Sequence, residues 1–125
     1  MVRLLDGPDV VRRKVARAVT DSDTGPDAVH HDRAAKPGVS NLLDIAAACT
    51  GFAPDDVAAQ APTYGALKKL VTDAVVEVLA PVQRRYTELS RDPEHVDEVF
   101  AQGAERCLKE TAPVLDAARA AMGLG

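Results

Sequence analysis

Apolar residues recur at three- and four-residue intervals through most of this chain, the period of a helix that buries one face. The clearest run is Leu67, Leu70, Val71, Ala74, Val75, Val78, Leu79, Val82, Tyr86 and Leu89. Pro81 falls inside it and predicts a kink, because it removes one backbone donor. Val10, Val11, Val15, Ala18 and Val19 predict an earlier helix that starts near Asp6-Gly7-Pro8, with Pro8 in its first turn. Leu42, Leu43, Ile45, Ala46 and Cys49 line another, with Ser40 as its N-cap, Gly51 just past its end, and Phe52 closing the apolar contact after that cap. Pro54, Asp55 and Asp56 open a short helix with the right charge for its N-terminus, and Pro62 ends it. The last begins at Asp92-Pro93-Glu94 and carries Val96, Val99, Phe100, Ala104, Cys107, Leu108, Leu115 and Met122, with Pro113 expected to bend or break it.

Between the first two helices, Thr20 to Gly38 reads as a long irregular loop rich in Asp, Pro and Gly. It exceeds the usual connection length, which marks it as functional or disordered. No stretch alternates as a strand does. The expected fold is all-α, an antiparallel helical bundle of about five helices, forming one domain over residues 1–125.

Composition agrees with helix. Ala, Val and Leu supply most of the apolar content, Trp is absent, and aromatic residues make up 3% of the chain. The net charge of -4 argues against a protein that coats nucleic acid without specificity, but not against a local basic face. Cys49 and Cys107 have neither metal-ligand nor redox-motif spacing, so both read as buried thiols of a reducing compartment. No apolar run approaches the roughly 18 residues of a membrane span, and no signal-peptide pattern is visible. A soluble, cytoplasmic protein is expected.

Little enzyme chemistry is available. His30-His31-Asp32 resembles a fragment of a metal site but lacks obvious further ligands, and reads first as a solvated loop. There is no Gly-rich phosphate loop; Gly38 and Gly51 read as turn and cap residues. No nucleophile, base and orienting group can be assembled, and no cofactor is implied. The charges are more informative. A basic helix carrying Arg13, Lys14 and Arg17 feeds directly into Asp21, Ser22 and Asp23. Carboxylates at the C-terminal pole of a helix oppose its dipole. Lys68 and Lys69, after Thr63-Tyr64-Gly65, place cations near the opposite kind of pole. Solvated helix faces would account for the basic residues, and a local Asx turn capping the first helix would account for Asp21 and Asp23.

Four blocks, taken in order, are more specific: LLDGPDVVRRKVARAVTDSD, GVSNLLDIAAACTG, YGALKKLVTDAVVEVLAPVQRRYTEL and GAERCLKETAPVLDAARAAMGL. Together they resemble the C-terminal helical part of bacterial tryptophanyl-tRNA synthetases, class I enzymes, over nearly the whole chain. In that family a Rossmann-type catalytic domain with HIGH-like and KMSKS-like motifs lies upstream of the LLDDP-like start, near the position of Met1 here. The resemblance therefore implies the anticodon-binding domain without the catalytic one, no aminoacylation activity, and a monomer, since the family's dimer interface lies mainly in the catalytic domain. It implies tRNA(Trp) as partner, whose anticodon is CCA. Carboxylates are natural acceptors for the N4 amino group of cytosine, and anticodon bases are open to reading on their Watson–Crick edges. Asp21, Ser22 and Asp23 are thus expected at the bases, and Arg13, Lys14, Arg17, Lys68 and Lys69 at the phosphates. Tyr64 either stacks on a base or fills a core or surface position. A free-standing protein of this kind would recruit the tRNA for an enzyme that consumes tryptophanyl-tRNA, such as a peptide ligase in a natural-product pathway. Two alternatives are a protein-interaction bundle derived from a synthetase and a fragment of a complete synthetase.

Overall fold

Gly7 stands in extended backbone and Pro8 follows with its fixed φ, so the chain turns into a helix there at little cost. In the computed structural model, which describes residues 1–124, this is α1, Pro8–Ala16. It is followed by α2, Pro37–Thr50; α3, Pro54–Gln60; α4, Tyr64–Ser90; and α5, Pro93–Ala121. No strand occurs among the described residues. Among the described residues the fold is all-α with five helices, as the periodicity predicts.

Proline sets most of the helix starts. Pro8, Pro37, Pro54 and Pro93 each sit in a first turn. Asp92 caps α5 by accepting the His95 backbone N–H at 3.1 Å. Gly51 ends α2 at φ 79, in the left-handed region that glycine tolerates. Pro81 and Pro113 both lie inside continuous helix, so Pro113 does not break α5.

The chain divides into two compact units, Met1–Arg84 and Arg85–Gly125, with the boundary inside α4. In the first unit one core joins four helices and a loop. Val11 and Val15 of α1 meet Val39, Leu42, Leu43 and Ala46 of α2, Val57 of α3, and Leu67 and Val71 of α4. Val29 enters this core from the segment between α1 and α2. Buried apolar side chains of this kind each contribute about 1.5–3 kcal/mol. The second unit holds the end of α4 and α5, and none of the described α5 residues is buried.

Four sequence expectations change. The first helix stops at Ala16 rather than reaching Val19, and Val19 is 83% exposed. The second starts at Pro37, not Ser40, because Lys36 before the proline is held out of helical geometry. Ser40 is instead buried within α2, and its hydroxyl accepts the Asp32 N–H at 2.9 Å. Cys107 is exposed on α5 and Cys49 is half-buried, so neither thiol sits in the core. Phe52 is exposed after the α2 cap rather than packed.

Gly38 has a role beyond a turn. A Cβ there would lie 2.2 Å from the carbonyl oxygen of Val19. The chain leaving α1 therefore crosses directly over the first turn of α2, and only glycine leaves room.

Candidate nucleic-acid interface

The Asp21-Ser22-Asp23 turn lies beyond the end of α1, since Arg17 already caps that helix. The dipole weakens within the last turn, so the apparent electrostatic misfit largely disappears. The pole itself carries the favourable sign. Lys68 extends from α4, and its ammonium donates to the carbonyls of Ala16 at 3.1 Å and Ala18 at 2.8 Å. A lysine that looks misplaced on its own helix is a C-terminal cap for another. Nor do Lys68 and Lys69 occupy the first turn of α4, which begins at Tyr64 with Thr63 Oγ1 accepting the Ala66 N–H at 3.2 Å.

The two carboxylates face a third lysine. Lys36 is only 6% exposed. Its ammonium donates to Asp23 Oδ2 at 2.6 Å, Asp21 Oδ2 at 3.0 Å and the Tyr64 hydroxyl at 3.3 Å. It also lies 5.9 Å from the centre of the Tyr64 ring, within cation–π range. The Tyr64 hydroxyl in turn bonds to Asp21 Oδ1 and reaches the Ala28 carbonyl at 3.1 Å. Asp21 Oδ1 also accepts the Asp23 N–H at 3.1 Å, so the expected Asx turn forms, but beyond the end of α1 rather than as its cap. Tyr64 is thus half-buried over the turn.

These contacts set the protonation states. The hydrogen bond from Tyr64, with further help from Lys36, lowers the Asp21 carboxyl to about 2 against the opposing effect of desolvation. Asp23, followed by Asp21 and Tyr64, raises the Lys36 ammonium, and burial does not reverse this. Desolvation, then the neighbouring Asp21, raises the Tyr64 phenol. At neutral pH Lys36 is therefore an ammonium, Asp21 a carboxylate and Tyr64 a neutral phenol.

The other predicted residues separate into engaged and outward groups. Lys14 is tied to Asp6 at 2.6 Å, and that bond, followed by the Arg3 backbone N–H, holds the Asp6 carboxyl below its usual range. Lys69 is exposed and pairs with Asp73 one turn on at 2.6 Å. Arg13 on α1 and Arg17 at its C-cap, one turn apart, are exposed and form no ion pair among the described residues. Ser22 is exposed, and the Asp23 side chain is 65% exposed despite its bond to Lys36. A cleft of about 410 Å³ runs between α1 and α4, lined by Arg12, Ala16, Lys68, Lys69, Thr72 and Asp73.

Sequence reasoning missed Lys36. Nothing local marks Lys36, because its partners lie 13 to 28 residues away. His30-His31-Asp32 serves the loop itself. Asp32 accepts the Ala34 and Ala35 N–H groups, while His31 and Arg33 both meet Asp44 at 2.9 Å. Among the described residues no three ligating side chains are placed to hold a metal ion. No helix among the described residues is long and apolar enough to cross a membrane.

No family model matches the chain. Individual proteins do. It is 51% identical over 124 residues to Tryptophan–tRNA ligase 1 of Streptomyces coelicolor, a match covering 99% of this chain and 36% of that protein. It is 49% identical over 124 residues to Tryptophan–tRNA ligase 1 of Streptomyces avermitilis, covering 99% and 37%. It is 36% identical over 126 residues to the tryptophan–tRNA ligase of Halalkalibacterium halodurans, again covering 99% and 37%. The chain spans little more than a third of the length of the curated relatives it matches. Along nearly its whole length, this chain is homologous to a single region of the tryptophan–tRNA ligases.

Proposed function

We propose that this chain is a tRNA(Trp)-binding module, corresponding to the C-terminal anticodon-binding region of tryptophan–tRNA ligases and without aminoacylation activity of its own. The observation that carries the proposal is the match to one region of these ligases along 99% of the chain. Protein chemistry at the α1 end supports it. A turn offering carboxylate and hydroxyl acceptors lies close in sequence to two arginines with no ion-pair partner among the described residues.

In this reading Ser22 and Asp23 accept the N4 amino groups of the two anticodon cytosines. Asp21 and Tyr64 complete the base site, with Tyr64 already placed against the turn. Arg13, Arg17 and Lys69 hold flanking phosphates, which position the RNA without reading it. Lys14 and Lys68 add positive charge while engaged with Asp6 and the α1 carbonyls. The module works as a monomer in the cytoplasm, needs no cofactor, and presents tRNA(Trp) to an enzyme that uses tryptophanyl-tRNA.

Equilibrium binding at fixed salt tests this, because affinities for RNA depend steeply on ionic strength. The expected result is tighter binding of tRNA(Trp) than of the same tRNA with its anticodon exchanged. Equal affinity overturns the specific reading.

A second reading, a protein-interaction bundle, is favoured by the exposed apolar residues of α5, among them Val99, Phe100 and Leu108. A stoichiometric complex with a purified protein partner that survives nuclease treatment would support it.

A further inference from the structure

Between Arg17 and Lys36 the chain has neither helix nor strand, and little of it is buried. Ala28 and Val29 enter the core midway, but the turn at 21–23 is exposed. Its attachment to the rest of the molecule is the Lys36 cluster. That cluster gathers three separate places in the sequence: the turn, the residue ahead of α2, and the first residue of α4. An ammonium has three donors and no acceptor. Here the three meet one oxygen each from Asp21, Asp23 and Tyr64. Among the described residues no buried side-chain nitrogen or oxygen lacks a partner.

We propose that Lys36 is the positioning residue of the reading turn: it fixes Asp21 and Asp23 and so aims Ser22 and the outer face of Asp23 at unpaired bases, without touching RNA itself. This rests on the tRNA(Trp) reading above. Asp21 then acts from within, as the anchor shared by Lys36, Tyr64 and the Asp23 backbone. Without Lys36 the two carboxylates would repel each other and the turn would lose its fixed presentation. Phosphate contacts on α1 and α4 would remain.

The test compares Lys36→Met, which keeps an unbranched apolar stem and deletes the donors, with wild type. Binding is measured to tRNA(Trp) and to its anticodon-exchanged form. Lys36→Met is expected to lose roughly tenfold or more in affinity for tRNA(Trp), the scale of one good base contact, with little change for the exchanged tRNA. Trypsin should also cut the variant faster after Arg17 and Arg33, which flank the tethered segment on exposed positions. Tyr64→Phe keeps the ring and removes only the hydroxyl, so it provides a milder version should Lys36→Met fold poorly; a smaller loss in the same direction is expected. Unchanged discrimination in a folded Lys36→Met or Tyr64→Phe protein overturns the inference alone. Equal weakening toward both tRNAs also overturns it, since that would make Lys36 a phosphate contact or a general structural residue. A wild-type protein that does not discriminate at all overturns the tRNA(Trp) reading and this inference with it.

Discussion

The two halves of α4 carry one apolar stripe but meet different surroundings. Leu67, Val71 and Ala74 are buried, whereas Val78, Val82 and Tyr86, continuing the same stripe, are about half exposed. The contrast extends along the chain. Every buried residue among those described lies between Val11 and Ala74. In α5 the apolar positions Val99, Phe100, Leu108 and Leu115 are all exposed. Periodicity shows which face of a helix is apolar; it does not show whether another element covers that face. The stability of this chain should accordingly be concentrated in its first unit.

The largest expected effect breaks or confirms that contrast directly. Leu43 is fully buried and Leu108 is 68% exposed. Leu43→Ala should cost about 2–5 kcal/mol through lost burial and a residual cavity. Leu108→Ala should stay within about 0.5 kcal/mol, as exposed substitutions do. Chemical denaturation followed by circular dichroism measures both. Comparable losses at the two sites would mean that α5 contributes to the same cooperative core.

A smaller effect is expected at the crossing of α1's exit over α2. Gly38→Ala forces a Cβ against the Val19 carbonyl, a backbone atom that cannot rotate away. A cost of about 1–3 kcal/mol is expected, typical of overpacking. Gly65→Ala, where the added Cβ meets nothing within 4 Å, should not destabilise, because alanine is the better helix former. Denaturation midpoints for the pair distinguish a close approach from a general preference against alanine.

The same contrast explains what was legible in the sequence. Helix starts were, because Pro8, Pro54 and Pro93 act locally, and Asp92 caps within its own turn. The start of α2 was misplaced, because Ser40 has the side chain of a cap but its hydroxyl is used by Asp32 across the loop. The candidate site was half legible. Asp21, Ser22 and Asp23 stood out as a charge anomaly, but the explanation lay in Lys36 and Lys68, which act across long separations. Sequence spacing finds partners one helical turn apart, such as Lys69 and Asp73, and not a lysine whose acceptors sit on a different helix.

That distinction between local and long-range lysines can be measured. Lys68→Met removes the cation at the α1 C-terminus and should cost about 0.3–1 kcal/mol. Lys69→Met breaks only an exposed pair with Asp73 and should cost a few tenths of a kcal/mol at most. In RNA binding the order should reverse, because Lys69 faces outward. Its loss should reduce the slope of log affinity against log salt by roughly one phosphate contact, while Lys68→Met changes the slope less. A larger salt effect from Lys68 would move the phosphate path into the α1–α4 cleft.

The smallest effect expected is that of pH on the 21–23 turn. Asp21 titrates near 2 in the folded chain, below the ordinary 3.8, so its contribution is complete above about 4 and is lost as pH falls toward 2. Lys36 is raised above its ordinary 10.5 and Tyr64 above 10.0, so their present protonation states also hold through neutral pH. The stabilising contribution of Lys36 is therefore fully present below its ordinary value and lost only in strong base. From about pH 5 to 9 amide exchange in residues 17–36, corrected for its intrinsic pH dependence, should report constant protection. Protection should fall between about pH 4 and 2 as Asp21 takes up a proton. An Asp21→Asn protein should show a smaller acid step while keeping the Asp23–Lys36 bond, the remainder belonging to Asp32, whose carboxyl the Ala35 and Ala34 N–H groups also hold below its ordinary value. If wild type loses protection near pH 6 instead, a group outside the Lys36 cluster would order the loop, and the Lys36 cluster would be secondary to it.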